Sequence, residues 1–392
     1  MGLALAPPAV ADPDFIAQAL PFVLTEDAVP PPDPSNRWQG NPVAEALGRS
    51  LFLDPRLSRS GELSCASCHV TGGRLVPNES RPADADRQFR TVMPVAGAAF
   101  QDFFFWDGRK DSLWSQALAP LETPSEHGLT RTEVAARLVR WHGNEVAALT
   151  GAALPSVEDL EALPPASPVG TRAERRAWRA LDPAARARVT ELFVLTGKLI
   201  AAFEAGLPPP RSAWDRILTA AQRDASVLAA LPAPARRGFD LFTGRARCAT
   251  CHLGPLFTDG DFHNTGLSDP RGGPPDPGRQ AALMELLGDE FNCLGPWSDA
   301  APGACPGLRY ISLSMERALG TFRTPSLRGV SERSPLMHAG QFENLRAALH
   351  HYNRAPPGPH GRLIGKDTLS ELLPLGLTQA ELADLEAFLD LL

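Results

Sequence analysis

Two short stretches decide the fold of this 392-residue chain: CASCH at residues 65–69 and CATCH at residues 248–252. The pattern Cys-x-x-Cys-His is typical of c-type haem attachment, in which two thiolates add to the haem vinyl groups and the adjacent His binds the iron. Each copy follows the same Gly-x-x-Leu-Phe pattern, which indicates a duplicated haem-binding unit. A pair of structural zinc sites would need further Cys pairs. We therefore predict two covalently attached c-type haems, held by Cys65, Cys68 and His69 and by Cys248, Cys251 and His252.

The composition is that of an ordinary globular protein, with 43% hydrophobic and 21% charged residues. A net charge of −7 gives no footprint for a nucleic-acid partner. No apolar stretch approaches the length of a membrane span. The 39 prolines predict long irregular connections between helices.

The compartment is indicated by the haem motifs, because c-type haems are attached outside the bacterial cytoplasm. Residues 9–11 (AVA) resemble the small-residue end of a secretory signal, without the basic region or full apolar core that would precede it. We expect an exported, periplasmic protein with an incomplete signal in this sequence.

Two cysteines lie outside the haem motifs. Cys293 and Cys305 flank a Gly/Pro-rich segment and are spaced for a local disulfide, which would stabilise the fold by about 3 kcal/mol in the chain-entropy model. Two free thiols are the alternative, and an oxidising compartment favours the disulfide.

The predicted fold is mainly α, with two cytochrome c-like haem domains, long irregular loops and few strands. Residues 1–40 are assigned to an extended leader, comprising a signal remnant and an N-terminal arm. Residues 41–231 form an N-terminal haem domain with a helical insertion, and residues 232–392 form a C-terminal haem domain. The boundary is placed at the breaker Pro232-Ala-Pro234, which ends a helical pattern.

Function depends on the sixth ligand of each iron, because an open position binds peroxide and a closed one transfers electrons. Between Cys68 and Trp106 the sequence has no His or Cys other than His69. Met93 is the only soft candidate there, in a run that is more typical of packing. The first haem therefore has no obvious local sixth ligand.

Longer motifs carry a family resemblance: LGRSLFLDPRLS at 47–58, FFFWDGR at 103–109, FRTPSLRGV at 322–330 and MHAG at 337–340. In these, and over nearly its whole length, the chain resembles the bacterial di-haem cytochrome c peroxidase and MauG family. Its site pattern is most similar to the MauG-like and MbnH-like enzymes. The family's typical peroxidases carry a His in the loop after the first haem motif, and this chain has none. The resemblance therefore implies a permanently open first haem.

The resemblance also implies a ligand for the second iron. Typical peroxidases use a Met fourteen residues after the His of an H-x-G motif, whereas this chain places Tyr352 at that distance from His338, as MauG does. A phenolate stabilises high-valent iron, whereas Met favours the ferrous state. The alternative is that Tyr352 is a core aromatic residue and that Met337 or Met315 is the ligand.

Four further residues fall at the family's catalytic positions. Trp106 corresponds to a Trp that relays electrons between the haems. At ten, fourteen and twenty residues beyond it the MauG pattern has Gln, Pro and Glu, here Gln116, Pro120 and Glu126. The resemblance implies that Glu126 is the acid–base group for peroxide and that Pro120 keeps the sixth site free. Gln116 would fix the hydrogen bonding around Trp106. The alternatives are a core Trp, a turn Pro and a surface Glu.

Two positions depart from the family. Thr91 replaces an Asn that binds calcium, so one Ca²⁺ ion remains a candidate cofactor with a poorer ligand. Ala246 replaces the Trp through which MauG oxidises its protein substrate, which disfavours methylamine dehydrogenase maturation. Three histidines, His127, His142 and His360, have no signal beyond surface or loop positions.

The resemblance implies a di-haem peroxidase-type oxidoreductase. The favoured function is a periplasmic oxidase that uses H2O2 at the first haem, forms a bis-Fe(IV)-like state and oxidises an aromatic residue, a Trp, of a partner protein. The alternative is a di-haem cytochrome c peroxidase that reduces H2O2 to water with electrons from a small cytochrome or cupredoxin. A non-enzymatic electron carrier is a third interpretation. Family members are monomers or homodimers.

Overall fold

The computed structural model describes residues 13–69, 90–272, 274–359 and 370–392, and these are mainly helical, as predicted. The α-helices of the described residues are α1 Pro13–Ala19, α2 Pro42–Leu53, α3 Cys65–Cys68, α4 Leu113–Glu122, α5 Arg131–Thr150, α6 Val157–Glu161, α7 Arg172–Ala180, α8 Pro183–Ala205, α9 Ala213–Ala221, α10 Ala233–Thr243, α11 Arg279–Gly288, α12 Pro306–Arg309, α13 Met315–Ala318, α14 Leu345–Arg354 and α15 Gln379–Leu389. Short 3-10 helices are Leu20–Phe22, Pro55–Leu57, Ala98–Phe100, Ala225–Ala230, Cys248–Thr250 and Val330–Glu332. The two strands, β1 Phe262–His263 and β2 Phe322–Arg323, pair antiparallel.

The chain divides into two compact units, each with its own apolar core. The N-terminal unit comprises Pro30–Pro208 and Pro277–Leu319, and the C-terminal unit comprises the residues up to Val29, Pro209–Asp276 and Gly320–Leu392. This division differs from the predicted boundary between residues 231 and 232. It lies earlier because α9 buries Trp214 and Leu218 in the C-terminal core.

The predicted extended leader is partly helical, which corrects that prediction. Helix α1 and the following 3-10 helix bury Phe15, Ala19 and Val23 in the core of the C-terminal unit. These apolar residues recur every four positions, as a helix requires. The ring of Phe15 meets Trp214 edge-on at 6.2 Å. The leader before Pro13 lies outside the described residues.

The N-terminal unit is built around α8, against which α2, α4 and α5 pack. Helix α8 begins after Asp182, whose side chain accepts from two backbone amides, and most of its second half is buried. Gly48 is the closest approach between α2 and α8, because a Cβ there would lie 1.9 Å from the carbonyl oxygen of Leu199. Phe52, one turn further, is fully buried.

The C-terminal unit repeats this arrangement with α10 and α15. A Cβ at Gly238 would lie 2.0 Å from the carbonyl oxygen of Asp384 in α15, and Phe242 is buried one turn further. The repeated Gly-x-x-Leu-Phe pattern therefore marks, in each unit, a helix crossing that only Gly permits, directly before the haem motif.

Residues 277–319 return to the N-terminal unit although they follow the second haem motif. They contain the Cys293–Cys305 disulfide, with an S–S distance of 2.07 Å, so the predicted pairing is confirmed. Phe291 inserts into the core and meets Trp114 at 6.2 Å and Phe193 at 5.8 Å. In the described part of the chain, no helix combines the length and apolar character needed to cross a membrane.

Candidate active site

The two Cys-x-x-Cys-His motifs have matching local geometry. The first forms α3 and the second a 3-10 turn, and in each the His amide donates to the carbonyl of the first Cys at 2.9 Å. All four cysteines of the motifs are half-buried. Burial raises the pKa of the Cys65 thiol and raises that of Cys248 to about 12. These apolar surroundings fit the vinyl edge of a haem.

The proximal His of the second motif is oriented for a metal. Nδ1 of His252 lies 2.9 Å from the carbonyl oxygen of Phe257, to which it donates as the neutral tautomer. Burial lowers the pKa of His252, which favours that neutral form. Nε2 is then the nitrogen that can bind iron, in the arrangement that metal-binding histidines usually adopt. The donor set therefore fits a c-type haem.

A seven-residue turn occurs once in each unit. In the N-terminal unit it runs from Phe104 to Lys110, which form a β-bridge, and in the C-terminal unit the corresponding bridge joins Leu336 and Phe342. The second residue of each turn is left-handed without being Gly: φ is 64° at Phe105 and 70° at Met337. The fifth residue is a left-handed Gly in both, Gly108 and Gly340. Trp106 and His338 occupy the same position, the third, in the two turns.

Each turn leads into a ten-residue helix, α4 or α14, which is capped by the side chain of Ser112 or Asn344. Because turn and helix have equal lengths in the two units, each residue of the first turn and helix has one counterpart in the second, at a constant separation along the sequence. Pro120, in the last turn of α4, then corresponds to Tyr352 in α14. The two residues assigned to the sixth position of the two irons thus come from one structural position in the repeat.

The surroundings of Tyr352 disfavour the ionised phenol, and its role as a ligand stays a prediction. Burial and the nearby thiols of Cys248 and Cys251 raise the pKa of its phenol. In this pocket the phenol ionises only if a cation such as ferric iron favours the anion. Met315, one alternative ligand, is exposed and belongs to the N-terminal unit, while Met337 packs against the C-terminal core.

Two side chains lie near the first haem motif. Glu126 follows α4 and is one of the groups that raise the pKa of Cys65. The buried His127 has Nε2 3.8 Å from Sγ of Cys65 and Nδ1 2.6 Å from the carbonyl oxygen of Leu57. Burial also lowers the pKa of His127. His127 lies in the turn after α4, so the expectation of a loop position is confirmed, whereas a surface position is excluded by its burial.

Trp106 is half-buried, and its indole nitrogen donates to the carbonyl oxygen of Thr91 at 2.9 Å. The single indole hydrogen is therefore committed to the backbone. Gln116 lies half-buried in α4, and its role near Trp106 stays a prediction. Calcium binding also stays a prediction. The backbone carbonyl of Thr91 accepts the indole hydrogen of Trp106.

Sequence reasoning missed two other buried groups in the N-terminal unit. His142 is buried and its Nε2 lies 3.0 Å from Oδ2 of Asp54, so it is not a surface residue. Glu204, in the last turn of α8, is 4% exposed, and its Oε2 accepts no hydrogen bond from any described residue. Burial raises the pKa of Glu204 to about 8. Neither residue has a local pattern that would reveal its burial. His360 lies outside the described residues.

A second cluster lies beside the other haem motif. His263 lies 2.9 Å from Asp259 and 2.7 Å from Glu371. Hydrogen bonds to Asp259, Cys251 and Glu371 raise the pKa of His263 to about 12. The Cys251 thiol is close enough to complete a three-ligand metal cluster with Asp259 and His263. Haem attachment would consume that thiol, so we assign the cluster no metal.

The family model described as di-haem cytochrome c peroxidase matches residues 42–223. The chain is 31% identical over 364 residues to the methylamine utilization protein MauG of Methylorubrum extorquens, and this alignment covers 90% of this chain and 78% of that protein. It is 30% identical over 356 residues to the cytochrome-c peroxidase IdrP1 of Denitromonas iodatirespirans, covering 88% of this chain and 80% of that protein. Its fold is similar to the diheme peroxidase BthA from Burkholderia thailandensis E264, with a TM-score of 0.63 at 21% identity over 94% of this chain and 93% of that one. The chain therefore belongs to the di-haem cytochrome c peroxidase and MauG family of oxidoreductases.

Proposed function

We propose that this chain is a periplasmic, MauG/MbnH-like di-haem oxidase. It uses H2O2 at an open first haem, holds the two oxidising equivalents across both haems and withdraws them from an aromatic residue, a Trp, of a partner protein. One observation carries this proposal: Pro120 and Tyr352 occupy the same position of equivalent helices. Pro has no donor atom for a metal, whereas Tyr offers a phenolate. The first site is then open and the second is closed by an anionic ligand.

The haems, when bound, supply the redox chemistry of peroxide cleavage. We assign their covalent attachment to the four motif cysteines and their proximal ligation to His69 and His252. A carboxylate oxygen of Glu126 takes a proton from the near oxygen of peroxide and returns it to the far one as the O–O bond breaks. Pro120 keeps protein donors away from the peroxide position.

Trp106 is proposed as the relay between the two haems. Its hydrogen bond to Thr91 fixes the orientation of the ring. A fixed ring needs little reorganisation when an electron leaves it, which suits a relay. The buried Ala246 stands where MauG has its exit Trp, so the partner is oxidised by another route than in MauG.

The alternative function is a peroxidase that reduces H2O2 to water with electrons from a small cytochrome or cupredoxin. The similarity to the peroxidase IdrP1 favours it, at 30% identity. It shares the haems, Trp106 and Glu126 with the first proposal, but it requires a second haem of high potential. Tyr352 disfavours that requirement, because an anionic oxygen ligand stabilises the oxidised iron.

The deciding experiment adds one equivalent of peroxide to the diferric protein and follows it by optical, near-infrared and Mössbauer spectroscopy. Our proposal predicts a long-lived state, two equivalents above diferric, in which both haems are Fe(IV). If peroxide has no effect until one haem is reduced, the first iron is gated and the peroxidase function is the better account.

A further inference from the structure

Residues 277–319, which we call the clamp segment, surround the turn that carries Trp106. This turn, from Phe104 to Lys110, is held across its base by the amide of Phe104, which donates to the carbonyl of Lys110 at 2.8 Å. Its left-handed Phe105 is a sparsely populated conformation for a residue with a side chain. Such a turn persists only when surrounding contacts determine it.

Arg279, the first residue of α11, makes the central contact. Its side chain is 4% exposed, and Nη1 donates to the carbonyl oxygens of Asp107, at 3.2 Å, and of Gly108. Its guanidinium also lies 4.5 Å from the centre of the Phe103 ring. One buried cation thus holds the two residues that directly follow Trp106.

Two further contacts join the clamp segment to the end of the turn. Lys110 forms an ion pair with Asp289, and the amide of Cys293 donates to Oδ2 of Asp111 at 2.8 Å. The Cys293–Cys305 disulfide closes the segment immediately after these contacts. The clamp segment therefore contacts the chain before Trp106, at the Phe103 ring, and after it, from Asp107 to Asp111.

The clamp segment is itself fixed to the unit. Arg131, buried in α5, donates to Oε1 of Glu290 at 2.8 Å, and Phe291 lies in the core. Lys198 of α8 donates to the carbonyl of Trp297 at 2.8 Å and to Oδ2 of Asp299 at 2.6 Å. The clamp segment therefore connects the turn to the core helices α5 and α8.

The equivalent turn of the C-terminal unit is held by different means. There the side chain of Gln341 accepts from the amide of Ala339 at 3.0 Å and donates to the carbonyl of Ser268 at 3.3 Å. The contacts described for the two turns thus differ.

We propose that the clamp segment sets the position of Trp106 and that Arg279 is a positioning residue for electron transfer through it. This inference rests on the relay role given to Trp106 in the proposed function. A misplacement of about 1 Å at a reacting group can cost on the order of 100-fold in rate. Loosening the turn should therefore shorten the lifetime of the shared oxidised state while both ferric haems remain intact.

The test compares three variants of the holoenzyme. Arg279→Gln removes the cation, Arg279→Lys keeps the charge without the planar fork, and Arg309→Gln is the matched control, an exposed arginine of the same segment. Haem content and circular dichroism establish folding. Hydrogen exchange is measured on peptides that cover residues 104–110, and near-infrared absorption is followed after one equivalent of peroxide.

We expect exchange in the turn to rise roughly tenfold in Arg279→Gln, with an intermediate value in Arg279→Lys and the wild-type value in Arg309→Gln. The near-infrared signal should decay at least about tenfold faster in Arg279→Gln. Unchanged exchange would overturn the clamp, and raised exchange with an unchanged near-infrared lifetime would overturn the positioning role. Absence of the near-infrared signal in the wild type would instead count against the proposed function, while the exchange comparison still decides whether Arg279 holds the turn. If Arg279→Gln does not fold, Arg279→Lys carries both comparisons.

Discussion

Replacing Glu204 by Gln should remove the pH dependence that this residue imposes on stability. Glu204 is buried in α8, its Oε2 accepts no hydrogen bond from the described residues, and burial raises its pKa from 4.5 to about 8. The Cys65 thiol lies close enough to Glu204 to interact with it electrostatically. The folded protein therefore keeps this carboxyl group protonated at neutral pH.

The sign follows from proton linkage. Above pH 4.5 the unfolded chain releases the proton, whereas the folded protein retains it up to about pH 8. The folded state thus holds more protons in this window, and stability falls as pH rises. Each tenfold change in a protonation equilibrium is worth about 1.4 kcal/mol, so the difference between 4.5 and about 8 corresponds to at most about 5 kcal/mol.

Urea unfolding of the holoenzyme, followed by far-UV circular dichroism across this pH window, measures the effect. At low pH, Glu204→Gln should be equal to the wild type or less stable, because its buried amide lacks partners at a cost of about 1–3 kcal/mol. The free energy of unfolding of Glu204→Gln should then rise by several kcal/mol relative to that of the wild type as pH rises to about 8. Glu62→Gln, which changes an exposed Glu, should follow the wild type throughout. Parallel curves for Glu204→Gln and the wild type would refute the reasoning.

Three other substitutions test the site and the repeat. Tyr352→Met should raise the reduction potential of the second haem and remove the long-lived oxidised state, and an unchanged potential in a spectroelectrochemical titration would contradict the ligand assignment. Glu126→Gln should slow the reaction with peroxide by about 10²–10⁴ in stopped flow. His127→Leu should keep most of the wild-type rate but lose about 1–3 kcal/mol of stability, because the backbone carbonyl of Leu57 loses its hydrogen-bond donor. Gly238→Ala should lower the free energy of unfolding in denaturant by about 3 kcal/mol or more, because its Cβ would overlap a backbone carbonyl. Gly288→Ala, whose Cβ meets open space, should change it by no more than about 0.5 kcal/mol. Equal effects of the two substitutions would refute the close helix crossing at Gly238.

The fold was predictable where the signal is local. The haem motifs, the Gly-x-x-Leu-Phe repeats and the spacing of Cys293 and Cys305 depend on a few neighbouring residues, and the helical class and the disulfide are confirmed. The return of residues 277–319 to the N-terminal unit was not predictable. It depends on contacts between distant residues, such as Phe291 in the core and Arg131 with Glu290. Hydropathy along one segment contains no information about its partner.

The same limit applies to the site. Family resemblance implied roles for Pro120, Glu126 and Tyr352, but it did not reveal that His127, in its loop, is buried. Its burial arises because its ring reaches the carbonyl of Leu57, which lies far away in sequence. The equivalence of the two turns was also hidden, because FFWDGRK and LMHAGQF share only their Gly. It became visible through the backbone, in the matching left-handed residues and bridges.

The repeat restricts where the difference between the two haem sites can lie. Both units present a haem motif after a Gly-mediated helix crossing, and both place a turn and a capped ten-residue helix in the same order. Since the scaffold is common, chemical differences must come from side chains at corresponding positions. Pro120 corresponds to Tyr352. The correspondence ends with the helices, because the chain continues in an extended conformation at Thr123 and in a left-handed one at Ala355. The N-terminal unit thus has a residue without a metal donor at the position where the C-terminal unit has a phenol. Peroxide cleavage requires both an open iron and an acid–base group, so the proposed function places it in the N-terminal unit and the storage of the second oxidising equivalent in the C-terminal one.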